Sequence, residues 1–191
     1  MSEKSLVVAD FLQEPMALGE VFASSGLFKD IKTASQAVVK IMAGKELGLT
    51  PFQSMASIYM VSDKLSLTSN AMSSLIKKSK RYDYSVVKLD ETNCEIDFFE
   101  NVGDEKKILG RSVFNLKDAA RCGLVNKDTF KAYPKNMLFA RALTNGARFY
   151  CPDAMCGYYV VEEMDDSVIN VEKLDTPKSI VSIDVDKEAS I

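Results

Sequence analysis

The chain has 191 residues, of which 47% are hydrophobic and 27% charged, with a formal net charge of −3 and no histidine. That length holds one domain with a sizeable core plus arms, and the composition belongs to ordinary globular chains rather than disordered ones. Without histidine the commonest general base and the usual zinc partner are missing, so Ser–His and Cys–His hydrolases are excluded.

No apolar run is long enough to span a bilayer, and in the start MSEKSLVVADFLQEP the acids Asp10 and Glu14 interrupt any signal-peptide core. The expectation is a cytoplasmic protein with no membrane partner. Cys94, Cys122, Cys151 and Cys156 stand apart without a C-x-x-C pair and read as buried reduced thiols. AGKELG has a Gly-Lys step but lacks the spaced glycine before it and the Ser/Thr after it, so no ATP site is expected. No cofactor, metal or catalytic residue is expected.

In chain order, residues 1 to 14 read as a flexible arm, and a short helix from Glu14 is expected to end at Gly26, with Pro15 just inside its start. Thr33 and Gln36 form a T-x-x-Q capping box for a helix running to about Leu47, with Ala34, Ala37, Val38 and Ile41 inward and Gly48 with Pro51 as the stop. SIYMV (57–61) and KLSL (64–67) predict a tight hairpin around Ser62 and Asp63. Thr68 or Ser69 caps a helix with Ala71, Met72, Leu75 and Ile76 inward. Lys77, Lys78, Lys80 and Arg81 crowd its end, more cations than the helix dipole alone needs. Three strands, 84–89, 94–100 and 108–114, form an antiparallel meander whose alternation buries Cys94, Ile96 and Phe98 on one face. Asn115 caps a short helix closed by Gly123.

Pro134 then opens a long helix within KAYPKNMLFARALTNGARFY, residues 131 to 150. Met137, Arg141, Asn145 and Arg148 fall on one stripe, beside an apolar sector of Leu138, Phe139, Ala142, Leu143 and Phe149. Arg141 and Arg148 lie about 10 Å apart along the axis, commensurate with successive backbone phosphates or paired carboxylates. From residue 165 the chain is acidic and reads as a disordered tail. The predicted class is α+β, helices on a small antiparallel sheet, with one nucleic-acid-binding domain over residues 15–164.

Charge is unevenly spread. Residues 64–148 carry 16 basic and 10 acidic side chains, whereas 149–191 carry 3 and 10. A basic body with an acidic tail fits a protein that handles polyanions and keeps a separate interaction arm. The cations at the end of the 68–80 helix, Lys64, Arg141 and Arg148 make a candidate groove, with Tyr59, Tyr82, Tyr84, Tyr133 and Tyr150 near in sequence. Single strands are held by this mixture, cations tracking phosphates and aromatic faces stacking bases.

The stretches ELGLTPFQSM, from Glu46 to Met55, and PKNMLFARALTNGAR, from Pro134 to Arg148, together with FKDIK and the later GYYVVEE, resemble the RecT/Redβ (Bet) group of phage single-strand annealing recombinases over roughly residues 15 to 163. The resemblance implies ATP-independent annealing of complementary DNA strands: a positive groove holds one strand by its backbone while neighbouring protomers form rings or filaments. It places Arg141 and Arg148 on phosphates and Lys64 at the hairpin. Lys77, Lys78, Lys80, Arg81, Asn145 and Tyr133 enter as candidates from charge and position. The implied partners are single-stranded DNA, further copies of the chain, and a phage exonuclease or a host single-strand-binding protein. The chain is shorter than typical members, and its tail has no recognisable partner-binding domain. Two other readings stand beside this one: an interaction protein that keeps the fold but binds an acidic protein through its basic face, and a metal-dependent nuclease built on Glu162, Glu163, Asp165 and Asp166.

Overall fold

A computed structural model of the chain describes residues 3–61, 64–155 and 158–160. The expected tail and the carboxylates at 162, 163, 165 and 166 lie outside the described residues, as does Cys156.

Helix α1 spans Glu3–Ser24 with Pro15 in its interior. This corrects two expectations, the loose arm and the helix starting at Glu14. Proline deletes one backbone bond of a helix, but leucine, alanine and glutamate favour the helical state on both sides of it. Helix α2, Ala34–Glu46, starts at the expected Thr33–Gln36 capping box. A second capping box, Thr50–Gln53, starts helix α3, Pro51–Ser57, so Pro51 opens a helix as well as closing the preceding one.

Strands β1 (Ile58–Val61) and β2 (Lys64–Leu67) pair as the expected hairpin, in register from Ile58 opposite Leu67 to Val61 opposite Lys64. The sequence reading missed a third strand here: β6, Tyr159–Val160, adds parallel to β2. Helix α4, Ser69–Lys78, is capped by Thr68, whose hydroxyl accepts from the Ala71 amide, and buries Ala71, Met72, Leu75 and Ile76 as expected.

The second sheet has the order β3 (Tyr82–Leu89), β4 (Asn93–Val102), β5 (Glu105–Asn115), antiparallel throughout. Cys94, Ile96 and Phe98 are fully buried on its inner face. Helix α5 (Leu116–Arg121) has the expected Asn115 cap, and the short α6 (Asp128–Ala132) leads into α7, Pro134–Tyr150. Helix α7 lies across β4 and β5 and buries Leu138, Ala142, Leu143 and Ala147. Its approach depends on Gly146: a Cβ there would sit 2.0 Å from the Phe98 ring. The Ser112 hydroxyl fixes the same contact by donating to the Ala142 carbonyl at 2.7 Å.

Two packing expectations fail. Phe149 is 74% exposed rather than packed, because in the last turn of α7 Ala147 and Tyr150 take the inward places, Tyr150 5.5 Å from the Phe98 ring. Cys122 is exposed just after α5, whereas Cys94 and Cys151 are buried, and burial pushes their thiol pKa values up to about 11 and about 12.

Candidate nucleic-acid interface

The basic end of α4 divides into two halves with different neighbours. On the sheet side, the Lys77 ammonium bonds to the Asp83 carboxylate, donates to the Tyr84 carbonyl at 3.0 Å and sits 4.4 Å from the Tyr84 ring centre. Lys106 reaches the same carboxylate at 2.8 Å. Burial alone would raise the pKa of Asp83, but hydrogen bonds from Lys106, Lys77 and the Tyr84 amide outweigh it and hold the group at about 2. Arg81 bonds to Glu100 at 2.9 Å and to Asp153 at 2.8 Å, and Asp153 also accepts from the Tyr82 hydroxyl at 2.6 Å. Arg111 bridges Asp97 and Glu95 in the same way, across β4 and β5. Lys77 and Arg81, both candidates from the sequence, thus each carry a carboxylate already.

Lys78 and Lys80, by contrast, are exposed, and their side chains have no hydrogen bond or ion pair among the described residues. Lys80 adopts φ +56°, the left-handed conformation that turns the chain from α4 into β3, and its carbonyl accepts from the Asn101 side chain at 2.7 Å. Lys78 borders a cleft of about 410 Å³ between α4 and the α3–β1 segment. Asn70, Ser74 and Lys78, spaced by four, form one wall along α4; Gln53 and Tyr59 contribute to the other. Among the described residues no acid lines this cleft.

A buried ion pair positions the Tyr59 wall. Lys40 of α2 is fully buried, bonded to Asp30 at 2.9 Å and to the Met55 carbonyl at 3.0 Å. The same Asp30 oxygen accepts from the Met60 amide at 3.1 Å. The pair therefore grips the chain on both sides of Tyr59. The Lys40 ammonium lies 5.5 Å from the Tyr59 ring centre and 5.7 Å from that of Phe28. Burial lowers the Lys40 pKa, and the hydrogen bond and charge of Asp30 oppose that shift.

The remaining candidates sit elsewhere. Arg141 and Asn145 are half-buried on α7 and Arg148 is exposed. Tyr133 is 65% exposed at the start of α7, about 22 Å along the axis from Arg148. Lys64 is exposed at the first position of β2. No residue of α7 lines the cleft, so the groove expected as one surface becomes a cleft beside Lys78 and a separate helix face with Arg141, Asn145 and Arg148.

Sequence reading missed Gln53, Asn70 and Ser74 as site residues, and Lys40 as a buried group. The spacing of Asn70, Ser74 and Lys78 was the available signal for one wall. Lys40 stands three residues after Ala37, on the apolar face of its helix. Among the described residues there is no cluster of three potential metal ligands, and no helix is long and apolar enough to cross a membrane. No protein-family model, curated protein or solved structure matches the chain.

Proposed function

We propose that the protein binds single-stranded DNA and anneals complementary strands without ATP, on a core of the RecT/Redβ type. The observation that carries this reading is the cleft beside Lys78, with Tyr59 and amide side chains in its walls and no acid among its described lining residues. A polyanion is drawn to cations that no internal carboxylate neutralises, and Lys78 and Lys80 supply them. Arg148 and Lys64 are further exposed cations, on the separate α7 face and at the first position of β2.

Annealing needs no catalytic side chain. Offsetting phosphate repulsion while the pairing edges stay free is sufficient, because base pairing itself supplies the driving force. Rings or filaments of the chain, and contacts with a phage exonuclease or a host single-strand-binding protein, belong to this proposal.

The test is an annealing time course with two complementary dye-labelled oligonucleotides, without ATP, at low and moderate salt, beside a non-complementary control. The expected result is acceleration well above the spontaneous rate that disappears as salt rises, with a binding slope near −0.7 per phosphate neutralised. Replacing Arg141 and Arg148 together by alanine is expected to weaken binding and flatten that slope. Strand binding without acceleration would make the protein a passive binding module. Absence of strand binding would point instead to an acidic protein as the ligand of the basic face.

A further inference from the structure

We infer that the cleft between α4 and the α3–β1 segment is a single-nucleotide subsite: one base of the bound strand leaves the stack, lies against the Tyr59 ring, and is held at its edge by Asn70 and Gln53, with its phosphate on Lys78. The inference rests on the strand-binding reading above and assigns one nucleotide to a particular place.

The chemistry of the walls narrows the ligand class. About 410 Å³ with an open mouth suits a small planar group and its substituents rather than an extended surface. The lining includes an exposed aromatic ring, amides and a lysine without an acid, which matches a flat group bearing both donors and acceptors and an attached anion. Among the described residues the lining offers a cation no carboxylate, and a purely apolar ligand would leave Asn70 and Gln53 facing it.

The walls are arranged to receive such a group. The side chains of Asn70, Ser74 and Lys78 have no hydrogen bond among the described residues, so their polar atoms are open to a ligand. Gln53 accepts from the Thr50 amide through its side-chain oxygen, which leaves its side-chain amide donors for a ligand. From Asn70 to Lys78 is about 12 Å along α4, enough to separate a base from its phosphate. The Lys40–Asp30 pair restrains the backbone on both sides of Tyr59, so the ring is held in place before the base arrives. Lys40 is a positioning residue here, since it touches the ring from inside the protein.

A base lodged this way is withheld from pairing, whereas its neighbours along the strand keep their edges free. The subsite therefore sets the register of the strand on each protomer.

The experiment uses the full chain and a short thymidine oligonucleotide in which one base is the photoreactive 5-iodouracil. Ultraviolet cross-linking is followed by peptide mapping, and affinity is measured for the protein and for Tyr59→Leu, Tyr59→Phe and Asn70→Ala. The expected cross-link is at Tyr59. Tyr59→Leu is expected to weaken binding about tenfold, the loss of one base stack, with Tyr59→Phe close to the original. Asn70→Ala, at an exposed position that the fold does not use, is expected to weaken binding several-fold and serves if Tyr59→Leu fails to fold. Binding that persists with cross-links elsewhere, and with Asn70→Ala and a folded Tyr59→Leu unchanged, overturns the subsite while leaving strand binding intact. Failure of the unaltered protein to bind the oligonucleotide overturns both.

Discussion

Lys77 and Lys78 are adjacent in the sequence, yet one helix step of about 100° sends them into different surroundings. On the sheet side, Lys77, Arg81, Lys106 and Arg111 all meet carboxylates of β3, β4 or the turn after α7. Lys78, beside the cleft, and Lys80, in the turn from α4 into β3, meet none among the described residues. A count of lysines and arginines weighs these residues equally. The structure separates cations that join secondary elements from cations whose field reaches outward, and only the second kind is available to a polyanion.

That contrast can be broken from behind the cleft. Asp30→Ala leaves the Lys40 ammonium buried without its carboxylate and is expected to cost about 3–5 kcal/mol in urea unfolding. A loss below about 1 kcal/mol would show that the pair does not brace the Tyr59 wall. On the sheet side, Gly146→Ala drives a methyl group against the Phe98 ring, with an expected loss of about 1–3 kcal/mol in the same assay. An unchanged unfolding midpoint would show that α7 can shift off β4 without penalty.

Acid tests the sheet-side ion pairs. The Asp83 pKa is held at about 2, below its unfolded value, so the group contributes its stability in full above about pH 4 and loses it as pH falls towards 2. The contribution is about 1 kcal/mol after solvent screening. Melting curves between pH 2 and pH 6 are expected to show a shallower acid limb for Asp83→Asn than for the original chain. Parallel limbs would remove Asp83 as the cause.

The smallest expected effect on the fold comes from Lys78 and Lys80. Lys78→Ala with Lys80→Ala is expected to change stability by less than about 0.5 kcal/mol. The same pair is expected to reduce the salt slope of single-strand binding by about 1.4, near 0.7 for each lost phosphate contact. Lys77→Ala with Arg81→Ala is expected to do the reverse, lowering stability with little change in slope. If both pairs flatten the slope equally, the division of α4 into two sides does not govern binding.

What could be read in the sequence follows from how local each signal is. The α4 cap at Thr68, the capping box at Thr33, the cap at Asn115, the β1–β2 hairpin and the alternation of β4 all depend on residues a few positions apart. The start of α1 was missed because Pro15 is a strong local stop signal that the residues around it override. Strand β6 was missed because its partner β2 lies more than ninety residues earlier. Of the candidate site, Lys78 was legible as a charge. Its opposite wall was not, since Gln53 and Tyr59 come from α3 and β1 and face α4 only once the chain has folded back. The neutralisation of Lys77 and Arg81 was hidden for the same reason: their acids come from β3, β4 and the turn after α7.

The parallel pairing of β6 with β2 has a mechanical side. The chain that follows Val160 leaves from a strand hydrogen-bonded to β2, so a pull on residues 161–191 is borne by the hairpin before it reaches α7. Strand β1 of that hairpin carries Tyr59. Tension from anything holding the acidic end would thus be delivered along the strands to one wall of the cleft.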